Sequence, residues 1–403
     1  MRAPPPAPPW AESLLSVGVT GTNGKTSTTG MVAALLGLLA RPVARSTTLG
    51  YFLDDEQLEA PPHYAGFLAM MERCLAAGGR FAALELTSEA LALGFARSWP
   101  CQVGAFTNLS LDHSDAHGSA EHYLASKAQL FMSLPAGGTA VLNGCDDNAQ
   151  LLSEVLGGGV DVVRYGVASR GDAWGALDLA AEAVTPGFEG THALLLPSAR
   201  FPDLPARLEL RAIGEVFVEN ALAALGCALS LGVPAAEAVR VLAALPTPPG
   251  RFELVRRRPD VVVDYAHTPD ALVRTLRTAR RLCRGTLTLV FGAGGERDRA
   301  KRPLLGAAAR CADRVWLTSD NPRGEAPDFI LDEIAAGIGE HAGLTREVDR
   351  ARAIQRALAE AGEDDLILIA GKGHERTQES NGRIVAFSDV AIVRESGNLA
   401  RWR

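Results

Sequence analysis

Residues 17–28 read Val-Gly-Val-Thr-Gly-Thr-Asn-Gly-Lys-Thr-Ser-Thr, an order of residue types that suits phosphate binding. A β-branched run feeds a glycine-containing turn, Lys25 and Thr26 follow, and an Ala/Leu-rich segment runs on to about Ala40. Backbone N–H groups of such a turn converge on phosphate oxygens, and the helix N-terminus adds partial positive charge. The lysine supplies a point charge and the threonine hydroxyl can ligate Mg²⁺. The spacing Gly21-x-x-Gly24-Lys25-Thr26 is shorter than the common signature, whose first glycine would fall at Val19. A plain glycine turn into an ordinary helix is the alternative reading.

Other chemistry-bearing residues follow apolar runs. Glu85 closes Phe81-Ala82-Ala83-Leu84 and suits a magnesium ligand, since Mg²⁺ takes few protein oxygens and shares the rest with phosphate and water; a solvated strand-end glutamate is the plain alternative. Asp112, His113, Asp115 and His117 crowd into six residues, as in a transition-metal site or a hydrated loop. Lys127 sits on a helical stretch among Ala125, Ala128, Leu130 and Phe131, where a lysine ordinarily snorkels to solvent. Asn220 reads as the N-cap of an apolar helix, and Arg251 follows a proline-rich stretch from which it could reach a phosphate. Asp264–Asp270, Asp320–Glu325 and Gly371–Glu375 likewise end apolar runs with polar groups.

The elements that must position these residues alternate in kind. Strands are expected near 17–20, 81–85, 103–107, 139–142 and 160–165, with helices near 31–40, 64–77, 120–131 and 148–156. This is the α/β pattern of a mainly parallel sheet. Residues 174–213 change to alternating, turn-rich segments that suggest an antiparallel insertion. Two helices follow, and Leu245-Pro246-Thr247-Pro248-Pro249-Gly250 reads as a hinge. A second strand–helix alternation then indicates a smaller doubly wound, Rossmann-like domain. The expected division is a disordered proline-rich tail at 1–15, a central domain at 16–245 and a C-terminal domain at 246–403. Ligands of such sheets gather at the carboxyl ends of the strands, which places the polar motifs of both domains at one cleft.

The totals narrow the partners. At 403 residues the chain can build two or three cores. A formal charge of −7 offers no basic face for nucleic acid. Six scattered cysteines without Cys-x-x-Cys spacing argue against zinc and disulfides and fit a reducing cytoplasm. No signal peptide or membrane span is expected.

Taken together, GTNGKTS, ELTSE, TNLSLDH, Tyr123-x-x-x-Lys127, PGRFE, DYAHTPDAL, GERDRAKRP, DNPRGE and GKGHE resemble the Mur ligases from about Ser16 to Val393. The similarity is closest to the UDP-N-acetylmuramoyl-tripeptide synthetase branch, which adds the third amino acid of the peptidoglycan stem peptide. The resemblance implies a P-loop domain joined to a C-terminal ligase domain, acting on ATP and two Mg²⁺ ions. Gly21, Thr22, Asn23, Gly24, Lys25, Thr26 and Ser27 would hold the phosphates, and Asn108, Asn220, Arg251, Asp264 and His267 the nucleotide. Thr26 would sit on one metal, with Glu85 and His113 on the other. Lys127 occupies the place of the family's carbamylated lysine. An acceptor carboxylate would become an acyl phosphate that the amine of the amino acid then attacks. Arg297, Asn321, Arg323, Gly371 and Glu375 match the grip on meso-diaminopimelate. Thr87, Ser88 and Glu89 occupy the acceptor region where the family has Ser-Ser-His, and Arg97 is a candidate to replace a missing arginine. Fewer than twenty residues precede the phosphate loop, where the family carries a UDP-binding domain, so the expected acceptor is one gripped without it. A specialised amino-acid or peptide ligase and a non-ligating nucleotide-binding module are the alternatives; the partners are small molecules, and the chain a monomer or homodimer.

Overall fold

A computed structural model describes residues 4–61, 63–110, 120–168 and 173–399. Its larger sheet has eleven strands: β1 (Leu15–Thr20), β2 (Val43–Thr47), β3 (Gly50–Leu53), β4 (Glu56–Leu58), β5 (Phe81–Glu85), β6 (Val103–Phe106), β7 (Thr139–Asn143), β8 (Asp161–Val167), β9 (Leu179–Gly187), β10 (Gly190–Leu195) and β11 (Arg207–Leu210). Their order is β11-β10-β9-β8-β7-β6-β1-β5-β2-β3-β4. The run from β9 to β2 is parallel. Antiparallel pairs extend it at both edges, through β10 and β11 at one and β3 and β4 at the other. The segment expected as an antiparallel insertion thus continues the main sheet, whereas nothing in the sequence pattern announces β2 to β4.

Both faces of the parallel core are covered, so its central strands β1, β5, β6 and β7 are mostly apolar and almost wholly buried. Val17 and Val19 face Val32, Leu35 and Leu36 of the helix Lys25–Leu36. Ala82 and Leu84 of β5 face the other way, toward Phe67, Met70 and Met71 of the helix Tyr64–Ala76 and Leu130 of the helix Ala120–Met132. The helix Glu215–Ser230 is buried from Phe217 to Ala228. The apolar cluster beneath it continues through Leu272 and Leu276 of the helix Pro269–Leu282 into the second sheet.

That sheet comprises β12 (Glu253–Arg256), β13 (Asp260–Asp264), β14 (Leu287–Phe291), β15 (Arg314–Leu317), β16 (Leu344–Arg346) and β17 (Leu366–Ala370). The order is β12-β13-β17-β14-β15-β16, all parallel except β12. A hairpin, β18 (Thr377–Ser380) and β19 (Arg383–Ala386), follows. Residues 245–250, the expected hinge, lie in neither helix nor strand. The proline-rich start, expected as a disordered tail, packs against the first sheet's helices from Pro4 onward. Ala7 N–H donates to Ser98 O at 2.8 Å, Ser98 Oγ donates to Pro4 O at 2.7 Å, and Trp10 meets the buried Trp99 edge-on at 6.0 Å. Prolines lower the entropy such a segment loses on docking. No helix among the described residues is long and apolar enough to cross a membrane.

One buried ion pair ties the second sheet's loops together. Arg350 and Asp389 both have fully buried side chains and meet in two parallel bonds of 2.8 Å. Arg350 also donates to Ser319 O at 3.4 Å and Ala370 O at 2.9 Å, just beyond β15 and at the end of β17. Breaking such a pair strands a buried charge. Asp389→Asn is expected to cost about 3–5 kcal/mol in chemical denaturation, while the double replacement Arg350→Met with Asp389→Leu should cost far less. A loss below about 1 kcal/mol in the single variant would contradict this account.

Candidate active site

The phosphate loop lies at the carboxyl end of β1, between β5 and β6, where the strand order reverses. Its two key glycines are demanded by space. Gly24 has φ 86°, and a Cβ there would lie 2.4 Å from Asn220 Oδ1; a Cβ on Gly21 would lie 1.9 Å from Thr107 Oγ1. Asn108 is buried and clamps the loop from beneath, its Oδ1 accepting Asn23 N–H at 3.0 Å and its Nδ2 donating to Asn23 O at 3.1 Å. Thr107 Oγ1 donates to the same carbonyl at 2.7 Å. Gly24, the residue before the helix Lys25–Leu36, has no side chain to cap it. A helix start without a side-chain cap suits an anion. Lys25 folds back so that Nζ donates to Thr22 O at 2.8 Å.

Beside the loop stands an oxygen donor set. Register pairs Glu85 with Val19, and Glu85 Oε2 accepts from Thr26 Oγ1 at 2.9 Å and from Thr48 N–H at 3.1 Å. A hydroxyl and a carboxylate at a phosphate loop match the preference of a hard cation. Lys127 does not snorkel: it is 1% exposed, its Nζ donates to Gly21 O at 2.9 Å and lies 4.0 Å from the centre of the Tyr123 ring. His113 and the acidic cluster around it fall in residues 111–119, outside the described residues.

Asn220 is not an N-cap. The helix starts at Glu215, after Gly214, and Asn220 is an interior residue one turn further on, against Gly24. The neighbouring Glu219 is buried and forms an ion pair with the partly buried Arg274 at 3.0 Å, joining the helix behind the phosphate loop to the helix Pro269–Leu282. Asn23 Nδ2 makes a second bridge, to Thr268 Oγ1 at 3.3 Å.

On the opposite wall Asp264 organises the end of β13. Its buried carboxylate accepts from Phe252 N–H at 2.6 Å, Ala266 N–H at 2.8 Å and Thr275 Oγ1 at 3.3 Å. Burial pushes its pKa up, against the opposing pull of Arg251 and of these donors. Arg251 lies over the Tyr265 ring at 4.5 Å, and the rings of His267 and His374 pack at 4.7 and 5.0 Å from it. Burial, with Arg251 nearby, pushes the His374 pKa down.

Two cavities occupy the cleft. The larger, about 810 Å³, is lined by Asn23, Gly24, Ser27, Asn220, Arg251, Asp264 and His267, all expected nucleotide residues, and by the unexpected pair Glu219 and Arg274. The smaller, about 420 Å³, brings Thr22–Thr26, Glu85 and Lys127 of the first sheet to face Arg297, Asn321, Arg323, Gly371 and Glu375 of the second. Thr87, Ser88 and Glu89 also line it, though the Thr87 hydroxyl is engaged as a helix cap by Ala90 N–H at 3.2 Å. Arg97 lines neither cavity and instead donates to Gln129 Oε1 at 2.9 Å. Gly21 and Asn108 support the loop from outside both linings.

The second-sheet loops interlock. Arg302, 0% exposed, donates to Glu325 at 2.8 and 2.9 Å, to Glu333 at 2.6 Å and to Gly294 O at 3.3 Å. Those bonds hold Glu325 down at a pKa of about 2. Arg323 sits in the left-handed region at φ 51°, held there by Glu379 O, which its N–H meets at 3.1 Å, and by Asn381 N–H, which its carbonyl accepts at 2.6 Å. Strain of this kind persists only where surroundings over-determine it.

The comparisons with known proteins agree with this geometry. Family models match at residues 19–228, described as the Mur ligase middle domain, and at 250–373, described as the Mur ligase glutamate ligase domain. A relative from Thermosynechococcus vestitus, named UDP-N-acetylmuramoyl-L-alanyl-D-glutamate--2,6-diaminopimelate ligase, is 42% identical, the match covering 96% of this chain and 77% of the relative. A solved structure of a ligase with the same name superposes with a TM-score of 0.67 at 33% identity, covering 96% of this chain and 79% of the other. The folylpolyglutamate synthase of Mycobacterium tuberculosis, at 20% identity and a TM-score of 0.70 over 98% of this chain and 92% of its own, shares the fold. With both family models matched in chain order and a relative aligned along nearly the whole sequence, the chain belongs to the Mur ligase family, ATP-dependent enzymes that form C–N bonds.

Proposed function

We propose that this chain joins meso-diaminopimelate, or a similar diamino acid, to a carboxylate acceptor of peptidoglycan precursor synthesis in the cytoplasm. The observation that carries the reading is the smaller cavity, where a phosphate loop from one sheet faces a cluster of two arginines, an asparagine and a glutamate from the other. The name and 42% identity of the relative support the choice of amino acid. The expected hinge at 245–250 is taken as the division between two units that close on the substrates.

In this reading Asn220, Arg251, Asp264 and His267 hold the nucleoside portion of ATP, with Asn108 keeping the loop in shape. The N–H groups at the start of the helix Lys25–Leu36, with Lys25 and Ser27, receive the phosphates. Thr26 would hold one Mg²⁺ and Glu85 with His113 a second, beside a carbamate on Lys127, which turns a cation into an oxygen-bearing anion. Bound there, the metal neutralises phosphate charge. The acceptor's carboxylate, held near Thr87, Ser88 and Glu89, attacks the γ-phosphoryl group and leaves ADP. The amine of the amino acid then displaces phosphate to form the amide. Arg297 and Arg323 suit bidentate pairing with the distal carboxylate, and Glu375 its ammonium. Enclosure between the two sheets keeps water from the acyl phosphate.

The decisive measurement is mass-spectrometric detection of an ATP-dependent amide product, with UDP-muramoyl-dipeptide, free dipeptides and single amino acids offered as acceptors. Phosphate release should require both amino acid and acceptor; nucleotide binding without turnover on any acceptor would favour the non-ligating module. Lys127→Ala should lower kcat by about 10²–10³ and recover partly in short carboxylic acids. Full activity of that variant would refute the carbamate. Gly24→Ala places a side chain where the left-handed φ costs about 1–2 kcal/mol and Asn220 leaves no room. Calorimetric titration should show its ADP affinity reduced about tenfold or more.

A further inference from the structure

Sequence reasoning assigns Lys372 no role, yet its side chain is 0% exposed between two residues assigned above to the amino-acid site. Its ammonium donates to Asn321 Oδ1 at 2.9 Å and to Glu375 Oε2 at 3.0 Å. An ammonium only donates, so the Asn321 atom it meets must be the carbonyl oxygen. That oxygen also accepts Glu379 N–H at 3.1 Å, and the amide nitrogen is thereby turned onto Glu375 Oε2 at 3.0 Å. Both donors fall on one oxygen of Glu375. The other, Oε1, is left for a ligand in the smaller cavity, which Glu375 lines.

The charges on this wall follow from that arrangement. Lys372 offsets the charge of Glu375, and Glu379, 3.5 Å from Arg323, offsets part of that guanidinium charge; Arg297, Asp298, Lys301 and Asp320 also line the cavity. At Glu375, a ligand end carrying only an ammonium meets a carboxylate already offset by Lys372 and leaves the nearby Arg297 and Arg323 without an anion, a poorer match. An end carrying both ammonium and carboxylate satisfies Glu375 Oε1 and an arginine together. We propose that Lys372 is a positioning residue that sets specificity: by fixing the Asn321 amide and offsetting Glu375, it makes the site select an amino-carboxylate end over a bare ammonium end. This rests on the amino-acid site proposed above.

The test supplies the full-length enzyme with ATP, a working acceptor, and diaminopimelate and lysine together, and reads the ratio of the two amide products. Lys372→Met should lower the diaminopimelate-to-lysine ratio about tenfold or more, mainly through a higher KM for diaminopimelate, with the KM for ATP nearly unchanged. Glu375→Gln removes the ammonium acceptor but keeps the arginines, so the ratio should move the other way. Opposite shifts from the two halves of one ion pair are not what a folding defect produces. Equal loss of both products in Lys372→Met overturns the proposal, as does an unchanged ratio in Glu375→Gln should the first variant not fold. A wild-type enzyme that ligates neither amino acid instead removes the functional reading on which the proposal stands.

Discussion

The partly buried ion pair between Glu219 and Arg274 is the contact on which the cleft depends. Glu219 stands on a helix enclosed almost throughout, next to Asn220, which sets the space allowed to Gly24. Arg274 stands one turn after Asp270, whose carboxylate it also meets at 2.9 Å. Burial works against the guanidinium charge, but Glu219 and Asp270 outweigh it and keep its pKa above the ordinary value. Two charges largely withdrawn from water in this way add little net stability, yet each orients the other. The wall behind the phosphate loop and the wall built on Asp264 meet through this pair, and the larger cavity is the space between them.

Around that contact, many polar side chains shape the backbone that forms the cleft. Asn108 accepts one N–H and donates to one carbonyl of the phosphate loop. Asp264 gathers donors from β12's approach, its own turn and the following helix. Arg302 fastens the loop carrying Arg297 to the loop carrying Asn321 and Arg323. A ligase that brings three substrates together needs such preorganisation, because a reacting group misplaced by an ångström loses most of its advantage.

Legibility in the sequence followed burial. β5 and β17 are apolar runs ended by a polar motif, and β1 is nearly so from Val17 onward, so their strand character and the gathering of polar motifs at their carboxyl ends were readable. β2, β3 and β4 are three to five residues long and largely half-exposed, and carry no pattern that separates them from loop. Asn220 misled because an asparagine before an apolar run ordinarily caps a helix, whereas Glu215 and Val216 had already begun it. Lys127 could be placed on a helix but not on a face, and its burial under Gly21 is a tertiary fact. Glu219 and Arg274 lie 55 positions apart and belong to no local motif, so their meeting was not legible. Arg97 shows the converse: a plausible charge near the right segment that turns to Gln129 instead.

The larger sheet also has consequences at its rims. A mostly parallel sheet of eleven strands ends in two rows of unpaired backbone groups, an invitation to strand addition by a second molecule. Here the outermost strands are short, β4 with three residues and β11 with four, and both display charge to solvent, through Glu56 on one and Arg207 and Glu209 on the other. A neighbouring chain seeking to zip onto either rim would find few ladder positions and would have to desolvate carboxylates or a guanidinium. The antiparallel additions that flank the catalytic strands thus serve as terminators, keeping an extensive, strongly apolar sheet from templating aggregation.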